Sequence, residues 1–208
     1  MLFRSTATSI SSVSFTPSGE SAIALEQVIV QKQASNNRYS AIYSLLDPPE
    51  GVSGTVRVSL SASISNGIVI GVANFSNVDQ ADPLGTPGGA SSPSTNNTTV
   101  TLTLGSLTGD ELVFDNIFIG GNPPAAVTVD AGQTELTGWN VYSSNTRGAA
   151  SIEQATTSSV TMSWTAAADS MWVTTAVPIN PASAISAVEA SAIPSDEAPT
   201  EGDTVTVT

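Results

Sequence analysis

The chain contains no cysteine and no histidine. The first absence excludes disulfides, thiolate nucleophiles and Cys-based zinc sites. The second removes the commonest general base and the commonest transition-metal ligand together. Positive charge is scarce: 5 Lys and Arg stand against 18 Asp and Glu, for a formal net charge of −13. A basic surface for nucleic acid or an anionic membrane is therefore not expected. Lys32 is the only lysine, so a Ser-Lys dyad or a Lys-Asn/Asp isopeptide crosslink would have to use it. No apolar run approaches the roughly 20 residues of a membrane helix, so no membrane insertion is expected. Met1 to Ser12 lacks the apolar centre of a secretion signal.

What is present is a folding composition. Hydrophobic residues make up 40% of 208 positions and charged residues only 11%, with Ser and Thr carrying much of the polarity. A chain of this length builds one substantial core, with or without a tail. Low lysine, abundant Ser and Thr, and net acidity point to an extracellular or cell-surface setting, by association with such proteins.

The dominant period is two. In Thr55 to Ala62, Val56, Val58 and Leu60 share one face and Arg57, Ser59 and Ser61 the other, the pattern of a half-buried strand. Val100, Leu102 and Leu104 repeat it within Thr98 to Leu104, and Val160, Met162 and Trp164 within Ser159 to Thr165. β-Branched and aromatic residues predict further strands at Val13 to Phe15, Val28 to Gln33, Tyr39 to Leu46, Ile68 to Phe75, Leu112 to Ile119 and Met171 to Val177. Turn chemistry separates them at Pro17-Ser18-Gly19, Asp47 to Gly51, Asn66-Gly67, Pro87-Gly88-Gly89 and Gly120 to Pro124. The expected architecture is all-β: an antiparallel two-sheet β-sandwich, or jelly roll, over residues 1–182. Residues 183–201 read as an Ala-, Pro- and acid-rich linker. Residues 202–208 return abruptly to strict alternation, a C-terminal extended strand of donor type.

Ser12-Val13-Ser14-Phe15, Tyr43 to Gly51, Val78-Asp79-Gln80 with Pro83-Leu84, Gly109 to Val113, Ala131 to Thr134, Trp139-Asn140, Met162 to Thr165, and Trp172 with Val177-Pro178-Ile179 follow one another along the chain. They resemble a family of bacterial extracellular surface modules with a concanavalin-like jelly roll, often found as repeats. The resemblance covers about Ser12 to Ala182 and implies a binding or structural unit with no activity. Members of that family usually open with a Thr-rich strand of the form Gly-Asp-Thr-apolar-Thr-apolar-Thr. That strand is missing at the start of this chain, and its likeness is Gly202 to Thr208.

Candidate sites are few. Asp79 and Gln80, with Asp82, suit a sugar or a cation, or simply cap a turn. Of the three tryptophans, Trp164 and Trp172 lie on patterned strands and belong to the core, while Trp139, beside Gly138 and Asn140, is the candidate platform for stacking a glycan. Asp110, Glu111 and Asp115 invite a glycosidase reading, against which a Gly-Asp turn is the simpler account. Asn74, Asn96 and Asn97 fit the N-glycosylation pattern. No catalytic residue, cofactor or metal site is expected, and the protein is not expected to be an enzyme.

Two functions follow. In the first, the chain is a structural subunit whose partner is another copy of itself or a tandem neighbour: Asp203, Thr204, Val205, Thr206, Val207 and Thr208 complete the next module's sheet, giving a fibre or surface filament. In the second it is a carbohydrate-binding or adhesin module whose partner is a glycan.

Overall fold

The computed structural model describes residues 2–3, 9–33, 38–64, 66–93 and 97–182. The linker 183–201, the alternating segment Asp203 to Thr208 and the acceptor Asn96 lie outside the described residues. The described residues contain no helix, and hence none long and apolar enough to cross a membrane.

Fifteen strands follow in order: β1 (Leu2–Phe3), β2 (Ile10–Pro17), β3 (Ile23–Ala24), β4 (Glu26–Lys32), β5 (Tyr39–Ser44), β6 (Gly54–Leu60), β7 (Ile68–Val69), β8 (Gly88–Ser91), β9 (Asn97–Gly105), β10 (Leu112–Gly120), β11 (Val127–Val129), β12 (Thr134–Glu135), β13 (Val141–Ser143), β14 (Thr146–Gln154) and β15 (Ser159–Ile179). Every pairing is antiparallel, and the fold is an all-β sandwich.

Its centre is β10. This strand pairs with β14 on one side and with the second half of β15 on the other, and Val113 to Gly120 are all buried. Both of its faces are covered. Val113, Ile117 and Ile119 point to one side, where they join Val100, Leu104, Val160, Met162 and Trp164 of β9 and the first half of β15. Phe114 and Phe118 point to the other, where Phe114 meets Ile42 of β5 and the flanking Val28 and Ile29 of β4. The sheet β4-β5-β1-β7 covers that second face.

Two segments expected as separate strands, Ser159 to Thr165 and Met171 to Val177, are the halves of β15. The first half pairs with β9 and β11, the second with β10 and β8, and the register against β9 shifts between Thr165 and Ser170. Ala166, Ala167 and Ala168 occupy this shift, where small side chains let the strand pass from one layer to the next.

Other expectations need correction. Pro87-Gly88-Gly89 is not a turn, because Gly88 and Gly89 begin β8. The space a side chain would need is filled: a Cβ at Gly88 would lie 2.5 Å from the Leu104 side chain, and one at Gly89 2.8 Å from Gln31. The strand expected over Ile68 to Phe75 stops at Val69. The alternating apolar residues of β6 do point to one face, opposite Val13 and Phe15 of β2, but Val56, Val58 and Leu60 are only half-buried.

That half-burial has a topological cause. Strands β3-β2-β6 form a small sheet, and the chain passes through Leu25 into β4 of the neighbouring sheet. β2 and β6 lie chiefly against each other and β3. On their shared apolar face Val13 is buried, while Phe15, Val56, Val58 and Leu60 are half-buried.

Candidate functional site

β10 carries two adjacent polar residues in an otherwise apolar run, Asp115 and Asn116. Because neighbours on a strand point to opposite faces, each enters a different core. Asp115 is fully buried on the face shared with Trp164. Its Oδ1 accepts hydrogen bonds from the Ser151 backbone N–H at 2.9 Å and the Ser151 hydroxyl at 2.6 Å, and its Oδ2 accepts from the Trp164 indole N–H at 2.8 Å. Gln133 donates to the Ser151 hydroxyl at 2.7 Å and accepts from the Ser163 N–H at 2.6 Å. Asp130 accepts from the Ser163 hydroxyl at 2.6 Å and the Thr165 hydroxyl at 3.1 Å. One carboxylate thus ties β10, β14 and the first half of β15 across a layer boundary.

Burial pushes the Asp115 carboxyl up to about 6. The donors from Ser151 and Trp164 oppose that rise, and the charge of Glu153 adds to it. Both oxygens are engaged within a closed core, where the group pins three strand segments together.

Asn116 does the same on the opposite face. Its side-chain oxygen accepts from the hydroxyls of Ser40 and Thr175, and its amide donates to the Ala41 carbonyl at 3.3 Å. The Ser40 and Thr175 hydroxyl oxygens also lie 2.6 Å apart, close enough for one to donate to the other in place of Asn116. This second pin joins β10, β5 and β15.

Glu111 is also structural. Its carboxylate accepts from the Thr108 N–H at 2.8 Å, the Thr108 hydroxyl at 3.0 Å and the Gly109 N–H at 3.0 Å. Burial would raise its pKa, but these donors outweigh it and hold the group below the usual carboxylate range. Asp110 accepts from the Thr108 hydroxyl in the same turn. The carboxylates considered for glycoside chemistry are a turn cap and a core pin.

The surface candidates are similarly occupied. Asp79 Oδ1 accepts from the backbone of Ala81 at 2.8 Å and Asp82 at 3.2 Å, closing a turn, while Gln80 donates to the Val78 carbonyl at 3.0 Å. Trp139 is half-buried and meets Phe114 edge to face, with centroids 6.0 Å apart. Its six-membered ring also lies on Gly71, where a Cβ would come within 2.5 Å of it. Among the described residues the best exposed aromatic is Tyr142, at 61%, with the Arg147 guanidinium 5.3 Å from its ring centroid. Asn97 accepts the Trp172 indole N–H at 2.7 Å, Asn74 is half-buried, and the ammonium of Lys32 sits 4.9 Å from the Tyr39 ring centroid. Trp164 and Trp172 are core residues, as their strand patterns predict. Among the described residues no group of three or more His, Cys, Asp or Glu is arranged to hold a metal.

What the sequence reasoning missed is an edge. Among the described residues, β6 pairs with β2 on one side and with nothing on the other, so its outer N–H and C=O groups form an open ladder. Arg57 stands exposed in the middle of that strand. The alternation of β6 is visible in the sequence, but its position at the end of a sheet is not. Comparison of the chain with protein-family models, with curated proteins and with solved structures found no match.

Proposed function

We propose that the protein is a structural subunit of an extracellular or cell-surface fibre, assembled head to tail by β-strand complementation. The observation that supports this reading is the β2-β6 ribbon, whose apolar face is half-covered and whose outer edge is unpaired among the described residues. The same sequence carries a segment suited to such an edge. Val205 and Val207 alternate with Thr204, Thr206 and Thr208, giving one apolar and one hydroxylated face. An added strand saturates the backbone groups of an open edge and extends its apolar face. A contact in which one surface grips a different surface of the next copy does not close on itself, so repetition gives a filament.

The alternative, a carbohydrate-binding module, has less support. Trp139 spends its ring on Phe114 and Gly71, and Asp79 spends one oxygen on its own turn.

A synthetic peptide of Gly202 to Thr208 tests the proposal. Added in excess to the full-length protein, it is expected to occupy acceptor edges and shorten polymers seen by electron microscopy. The same peptide with Asp in place of Val205 and Val207 is expected to have no effect. Polymers of unchanged length with the native peptide would count against strand complementation.

A further inference from the structure

We infer that the acceptor for the C-terminal segment is the outer edge of β6, unpaired among the described residues, in a second copy of this chain, an inference that rests on the fibre reading. Among the described residues β4 and β9 are the other long strands with a single partner, β5 and β15, so three edges have to be told apart; on β4, Val28 and Ile29 already pack on the Phe114 cluster and Lys32 lies over the Tyr39 ring. The inner faces of β9 and β6 differ. Val100 and Leu104 of β9 are already buried, at 1% and 5% exposure, whereas Val56, Val58 and Leu60 of β6 are all half-buried. An incoming strand gains apolar contact at β6 that β9 has already satisfied within its own domain.

Charge separates the edges again. The residues leading into and opening the segment include Asp196, Glu197, Glu201 and Asp203, with no Lys or Arg anywhere after Arg147. In a chain of net charge −13, such a segment is repelled by most of the surface. β6 presents Arg57, exposed and with no carboxylate bound to it among the described residues. The outward residues of β9, Thr99, Thr101 and Thr103, are exposed but uncharged. The other basic residues among those described are engaged within the domain: Lys32 with Tyr39, Arg38 with Gln33, and Arg147 with Asn140 and Tyr142. Reach does not limit the contact, since residues 183–201 can extend to about 60 Å at roughly 3.3 Å per residue.

The absence of cysteine makes this directly measurable, because an introduced thiol has no competitor. Full-length single-cysteine variants would be mixed pairwise under mild oxidation. Thr206→Cys is expected to form a disulfide-linked dimer with Thr55→Cys or Ser59→Cys on β6, and none with Thr103→Cys on β9. Arg57→Glu in the acceptor is expected to lower the rate of crosslinking roughly tenfold at low salt. Crosslinking to Thr103→Cys in a protein that still polymerises would overturn the β6 assignment and leave the fibre reading intact. Crosslinking confined to a single chain that carries both Ser59→Cys and Thr206→Cys would overturn the second-copy assignment. A full-length protein that neither crosslinks nor polymerises would overturn both.

Discussion

Trp164→Ala is expected to destabilise the fold by about 3–5 kcal/mol, the range for emptying the site of a large buried aromatic. Trp164 is 0% exposed and is surrounded by Val100, Ile117, Ile119, Val127, Ala149, Ala166 and Trp172. The loss is twofold. The ring leaves a cavity that surrounding strands, held in ladders on both sides, can close only in part. The indole N–H also leaves Asp115 Oδ2 without its donor in a site closed to water. Trp164→Phe separates the two, since it keeps most of the volume and removes the N–H; about 1–3 kcal/mol is expected for an orphaned buried acceptor. Urea unfolding of the two variants beside the parent measures both quantities. A domain of this size is typically stable by about 5–15 kcal/mol, so the alanine variant stands near the limit of folding. A near-neutral Trp164→Ala would mean that the ring is not the keystone of its layer.

The second large effect is a stability that changes with pH through Asp115. Its carboxyl titrates near 6 in the folded protein against an ordinary 3.8. The folded state therefore holds this proton more tightly than the unfolded one. The resulting stabilisation is fully present below the ordinary value and is lost as pH rises through about 6. The difference between those two values corresponds to about 3 kcal/mol. Glu153, the other carboxylate acting on the site, is itself shifted upward by burial and contributes with the same sign. Glu111 runs oppositely, since its lowered value supports stability that disappears as pH falls below its usual 4.5. The Asp115 contribution is therefore cleanest between about pH 4.5 and 6.5. Asp115→Asn removes the titration, so the parent is expected to gain about 2 kcal/mol more than the variant on acidification across this window. Parallel slopes for the two proteins would mean that the Asp115 proton is not linked to folding.

The strands with one wet face were readable from their residues. Alternation over Thr98 to Leu104 and Ser159 to Thr165 locates β9 and the first half of β15, because Thr99, Thr101, Thr103, Thr161 and Thr165 face water while Val100, Leu104, Val160, Met162 and Trp164 do not. β14 is silent to that test. It reads Thr-Arg-Gly-Ala-Ala-Ser-Ile-Glu-Gln, and Gly148 to Ile152 are all buried. A strand covered on both faces has no polar side to alternate with, and its small residues let adjacent layers close. β8 is hidden for the related reason that its glycines mimic a turn. The pins at Asp115 and Asn116 did leave a trace, a polar pair inside Leu112 to Gly120. Sequence alone does not say whether such a pair is a site or a satisfied core, because that depends on Ser151, Trp164, Ser40 and Thr175 arriving from distant positions. Nor does alternation in β6 reveal that, among the described residues, β6 ends its sheet.

The proposal that copies of this chain join through the segment after Glu201 is tested most directly by mass in solution. Light scattering over a range of concentrations would compare the full-length protein with a form truncated after Glu201. The account predicts that the full-length species grow with concentration to many multiples of 21.1 kDa, while the truncated protein, folded by circular dichroism, stays monomeric. A full-length protein that remains at 21.1 kDa at every concentration, or a truncated one that polymerises equally well, would contradict it.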